Sequence, residues 1–82
     1  MITENDLIEL LKMGFANADV AVLDLNGMQD HYRVYVSSDA FEGKTTLQRH
    51  QMVYRILKPA YSDGRLHAAE ITTDTPAVEA VE

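Results

Sequence analysis

The chain contains three histidines, His31, His50 and His67, and no cysteine. Imidazole nitrogen is therefore its one good donor for a soft or borderline metal ion, and any thiolate at such a centre must be borrowed. The lack of cysteine also excludes disulfides, which suits a reducing cytoplasm better than secretion.

The histidines are not equivalent in context. His50 falls on an apolar stripe with Leu47, Val53 and Leu57 and reads as a half-buried structural residue. Its neighbour Arg49 points about 100° away around a helix and reads as a surface or binding charge. His31 stands at the mouth of a loop and His67 at the start of a strand, and each alone is an ordinary edge residue. The parity of His67 with Ala69 and Ile71 suggests an inward-facing edge position. Nucleophilic catalysis is not supported, because Ser37, Ser38 and Ser62 lie in cap and turn contexts without an elbow motif or an adjacent base. Phe41 to Thr46 includes Gly-Lys but lacks the earlier glycine of a phosphate loop. The 13 acidic residues are scattered and read as a solvated surface. No enzymatic function is expected.

The elements that must position these side chains follow from caps and periodicity. Thr3-Glu4-Asn5-Asp6 opens a helix near Glu4, with Ile2 and Leu7 as a hydrophobic staple, and Gly14 closes it by the left-handed conformation glycine permits. Asp19–Leu25 and His31–Ser37 read as strands joined through Asn26-Gly27 in an antiparallel hairpin. Thr45 and Gln48 form a capping box ahead of the main helix, whose stripe is Leu47, His50, Val53, Ile56, Leu57 and Ala60. Pro59 should break or kink it, with Ser62-Asp63-Gly64 as the turn out. Leu66–Thr73 is the third strand. Thr75-Pro76 could open a short last helix, but the acidic stretch 77–82 reads as a frayed tail after a domain spanning 1–76.

The order α-β-β-α-β describes one small α/β domain with a three-stranded mixed sheet. A helical crossover makes the second and third strands parallel. If they are neighbours, their starts share one edge of the sheet, about 4.8 Å apart, and those starts carry His31 and His67. Two imidazoles there could converge on one metal ion.

The formal net charge of −6 argues against a generic polyanion binder. The average hides an asymmetry: Lys44, Arg49, Arg55, Lys58 and Arg65 face only Asp63 between residues 44 and 67, a segment of +4 in a remainder of −10. A local basic face for DNA is the alternative function. The acidic start and the lack of a long apolar run suggest neither a signal peptide nor a membrane span, and a cytoplasmic protein is expected.

Three segments together, Ser38-Asp39-Ala40-Phe41-Glu42-Gly43-Lys44, Gln48-Arg49-His50-Gln51-Met52-Val53-Tyr54 and Leu66-His67-Ala68, strongly resemble the BolA family. The resemblance runs from the first helix to Thr75-Pro76. It implies a fold similar to class II KH domains and association with a monothiol glutaredoxin. It further implies a shared [2Fe-2S] cluster, to which the partner brings a cysteine and glutathione and the BolA-like protein brings two side chains. One of these is the histidine of the His-Ala segment, here His67. The other comes from the loop between the first two strands, here His31, which directly precedes Tyr32, whereas cysteine-bearing members place the thiol a few residues earlier. A monomer or weak homodimer is expected in isolation. The transcriptional role of some members keeps DNA as the alternative partner.

Overall fold

The fold is organised by its central strand, in which Tyr32, Val34 and Val36 are fully buried while Arg33 is exposed and Tyr35 half-buried. That period of two presents one face to a core and one to solvent. The computed structural model describes residues 1–75. The expected frayed tail and last short helix lie outside the described residues.

The elements run α1 (Glu4–Gly14), β1 (Asp19–Asp24), β2 (His31–Ser37), a 3-10 turn (Asp39–Phe41), α2 (Thr46–Ser62) and β3 (Ala68–Asp74). The sheet order is β1-β2-β3, with β1 and β2 antiparallel and β2 and β3 parallel. The small α/β domain with a mixed sheet is thus the observed architecture. The parallel register sets His31 opposite Ala68. α1 packs on β1 and on α2, and α2 packs on β3. Leu7, Leu11, Val53, Leu57 and Ala60 meet Tyr32, Val34 and Val36 in one apolar cluster, each large side chain contributing about 1.5–3 kcal/mol by burial. Phe15 and Phe41 stack at 5.0 Å and tie the end of α1 to the 3-10 turn.

Both helix openings form as their residues dictate. Thr3 Oγ1 accepts from the Asp6 amide, and Thr45 and Gln48 exchange side-chain to main-chain hydrogen bonds at 3.1 and 2.9 Å. Ser38, fully buried, donates to the Ala16 carbonyl and accepts from the Ala40 amide, which accounts for its hydroxyl without any chemistry.

Several expectations are corrected. α2 does not break at Pro59 but continues to Ser62. Proline there removes one hydrogen bond of the last turn, and the burial of Leu57 and Ala60 beside it outweighs that loss. Leu47 is 67% exposed, because the first turn of α2 stands clear of the core. Gly14 does not adopt the left-handed conformation. Space is what it supplies: a Cβ there would meet Ile56 Cδ1 at 2.7 Å and Cγ1 at 2.9 Å, so glycine lets α1 and α2 approach. β3 starts at Ala68, after Leu66 has turned its amide to the Ala60 carbonyl.

Candidate metal centre

The loop between β1 and β2 is wound around two side chains. Asp24 accepts the amides of Asn26 and Gly27 on Oδ1 and that of Gln29 on Oδ2, and Asn26 Oδ1 accepts the Met28 amide. This winding holds Gln29 at φ 62°, a left-handed conformation uncommon for a residue with a side chain. The Gln29 carbonyl accepts the Ile2 amide, and the Tyr32 hydroxyl donates to the Ile2 carbonyl at 2.6 Å. The loop is therefore fastened to the start of the chain as well as to the sheet.

Asp30 ends that loop and connects to β3. Its carbonyl oxygen accepts the amides of His67 and Ala68 at 2.9 and 3.1 Å. Its carboxylate lies 2.7 Å from His31 Nδ1 through Oδ1 and 3.2 Å from His67 Nδ1 through Oδ2. A carboxylate only accepts, so the short His31 contact requires the proton on Nδ1. The Asn26 amide, 3.3 Å from the same oxygen, then donates to Asp30 rather than to the ring. The His31 hydrogen bond holds the Asp30 carboxyl below its ordinary range. Desolvation opposes that shift, and the Asn26 bond and the charges of His31 and His67 add to it.

The two imidazoles lie 5.9 Å apart between ring centres at 87°, an edge-to-face arrangement. Ligand atoms of Asp30, His31 and His67 all fall within 4.8 Å of one another. The side chains of His31 and His67 are 44% and 59% exposed, open to a partner, whereas Asp30 is 17% exposed and held. His67 is thus an exposed edge residue and not an inward-facing one, because it precedes the first residue of β3 and the pleat does not yet direct it. The sequence placed these histidines together but passed over Asp30 as one of many solvated acids. The Asp-His dipeptide closing the loop is the signal that points to it.

The remaining candidates fall elsewhere. His50 is half-buried and lines an open groove with Gln51, Tyr54, Arg55, Lys58 and Ile71. Lys44 and Arg55 line a second groove alongside. Arg49 Nε donates to the Lys44 carbonyl. Arg65 is paired with Asp63 at 2.8 Å and borders the acidic side of α1 with Asp6 and Glu9. Arg55 and Lys58 therefore lie on α2 with Lys44 just ahead of its start, and Arg65 is separate from them.

The family model described as BolA-like protein matches residues 14–78, a span that includes the loop, both exposed histidines and the whole of α2. The chain belongs to the BolA-like family. A BolA-like protein of Dictyostelium discoideum is 29% identical over 80 residues, covering 89% of this chain and 70% of that protein. Among solved structures, BolA1 from Arabidopsis thaliana superposes with a TM-score of 0.78 at 26% identity, over 93% of this chain and 94% of that one. The BolA domain of SufE1 from the same plant gives 0.78 at 27% identity, over 94% and 98%. No helix among the described residues of this BolA-like protein is long and apolar enough to cross a membrane.

Proposed function

We propose that this BolA-like protein is a non-enzymatic adaptor that binds a monothiol glutaredoxin and shares a [2Fe-2S] cluster with it, in iron or redox homeostasis. One observation carries the reading: two exposed imidazoles, from residues 36 positions apart in sequence, stand 5.9 Å apart at one corner of a chain without cysteine. The donor set fits. Such a cluster takes four ligands; His31 and His67 offer two, and the thiolates of a glutaredoxin cysteine and of glutathione supply the rest. When bound, the cluster supplies one-electron chemistry at a potential raised by neutral imidazoles in place of thiolates. This chain's own residues present the two rings, hold them through Asp30, and leave them open to the partner. That a BolA domain also occurs within SufE1 supports a module that works joined to another protein.

The test mixes the protein with a cluster-loaded monothiol glutaredoxin and follows visible absorption and circular dichroism. A new spectrum is expected, lost on His67→Ala and weakened on His31→Ala. An identical spectrum with His67→Ala overturns the assignment.

A second reading rests on Arg55 and Lys58 on α2 with Lys44 just ahead of it, which favour a DNA contact. Three phosphate contacts give a slope of log affinity against log salt of about −2.7. No retention of duplex DNA at low salt removes that reading.

A further inference from the structure

The corner that holds His31 and His67 has a third donor which the shared cluster does not use. Asp30 approaches both rings with its carboxylate at 2.7 and 3.2 Å, and its backbone is fixed to β3 by two amide hydrogen bonds. We propose that Asp30, His31 and His67 form a self-contained site for a single divalent transition-metal ion in the free protein, and that this ion and the shared cluster exclude one another. The inference uses the same two histidines as the adaptor reading, but the ion site stands without a partner.

Two imidazoles and one carboxylate with open positions suit a borderline divalent ion such as Zn²⁺ or Fe²⁺. With bonds of about 2.0–2.1 Å, neighbouring donors around a tetrahedral ion stand about 3.3–3.4 Å apart. The His67 distance of 3.2 Å nearly equals that spacing and the His31 distance of 2.7 Å is shorter than it, and all three donors lie within 4.8 Å. The rings need only small rotations, which exposure of 44% and 59% permits, while the carboxylate is the anchored member. On binding, each neutral ring carries its proton on Nε2 and offers the Nδ1 lone pair, and the carboxylate exchanges the His31 N–H donor for the cation. The open side is left for water.

Exclusion follows from the donor count. The chain has no thiolate, and His50 lines the groove on α2 with none of these three residues. Both ligands therefore draw on the same two rings, whereas Asp30 is a ligand of the ion and only a support of the rings for the cluster. Loss of its carboxylate removes an ion ligand but no cluster ligand.

The test uses the metal-free full chain, titrated with Co²⁺ and then Zn²⁺. One equivalent is expected to bind, with the visible bands of four- or five-coordinate Co²⁺. Long-range ¹H–¹⁵N spectra of the Zn²⁺ form should report metal on Nδ1 of both His31 and His67. Asp30→Asn should weaken Zn²⁺ about tenfold or more and shift the Co²⁺ bands, with Asp30→Glu restoring part of the affinity and circular dichroism verifying the fold. Absence of stoichiometric binding, metal on Nε2, or unchanged affinity in Asp30→Asn overturns the site. Zn²⁺ loading should also block the spectral change with cluster-loaded glutaredoxin, and far less in Asp30→Asn when each protein is scaled to its own metal-free uptake. If Zn²⁺ binds as described and the cluster is still taken up, exclusion is overturned. If the metal-free protein takes up no cluster while Zn²⁺ binds, the adaptor reading fails and the ion site stands.

Discussion

Asp30 holds His67 twice, accepting its amide at the carbonyl oxygen at 2.9 Å and facing its Nδ1 with the carboxylate at 3.2 Å. The first contact fixes where the His67 backbone lies relative to β2, and the second draws the exposed ring toward the carboxylate. A donor so oriented before any ligand arrives loses little freedom on binding. The arrangement depends on the parallel β2–β3 register, which sets His31 opposite Ala68, the residue that follows His67.

Gly43 is set by a turn. Glu42 at φ −63°, ψ 133°, Gly43 at φ 76° and the Lys44 amide bonded to the Phe41 carbonyl make a type II turn, whose third residue must be left-handed. Gly43→Ala is expected to cost about 1–2 kcal/mol, read as a lower urea midpoint with an unchanged slope. Gly43→Asn should cost less, and equal midpoints for the three proteins would contradict the turn.

Gly14 tests packing instead of backbone. Gly14→Ala drives a methyl into Ile56, an overpacking cost of about 1–3 kcal/mol, against which alanine returns up to about 1 kcal/mol of helix propensity. The sum is destabilising. In an Ile56→Val background, which lacks the Cδ1 atom found at 2.7 Å, the penalty should shrink, and a double-mutant cycle in urea measures the difference. An equal penalty in both backgrounds would mean that Ile56 is not the obstacle.

How far the sequence discloses this structure depends on the range of the forces involved. Thr3, Thr45 and Gln48 act within one turn, so both helix starts are legible. The β2 alternation and the crossover between β2 and β3 are rules of chain geometry, so His31 and His67 could be brought together from topology. Gly14 illustrates the limit: its identity announces the end of a helix, but its reason is a neighbour 42 positions away. Pro59 is similar, since propensity argues for a break and burial of Leu57 and Ala60 decides otherwise. Asp30 was hidden because its partners are set by a loop wound on Asp24 and by the positive φ of Gln29, neither of which composition or periodicity registers.

Two carboxylates make stability fall in acid. The amide of Arg65 chiefly holds the Asp63 carboxyl below its ordinary value of 3.8, with the Arg65 side chain adding, and the His31 ring does the same for Asp30. Both bind fewer protons folded than unfolded, so their contribution is complete above 3.8 and disappears as pH falls through the lower folded values. Urea midpoints at low salt should drop between about pH 5 and pH 3, and Asp63→Asn should flatten part of that drop. Because Asp63 and Arg65 are about half exposed, added salt should shrink the Asp63 share. A pH-independent midpoint would contradict both contacts.

The electronic role of the imidazoles is testable by exchanging one of them. If His67 donates to the shared cluster, His67→Cys replaces a neutral donor by an anionic one in the same exposed position, and the added charge stabilises the oxidised state. The reduction potential of the complex with glutaredoxin should then fall by on the order of 100–300 mV, about half of the rise that a pair of imidazoles gives a [2Fe-2S] centre. His50→Cys is the control: it adds a thiol on the α2 groove and should leave the potential unchanged. Spectroelectrochemical titration of the three complexes reads the effect directly. A potential that moves equally in both variants would show a change of overall charge, whereas a shift confined to His67→Cys requires that this side chain touch the iron.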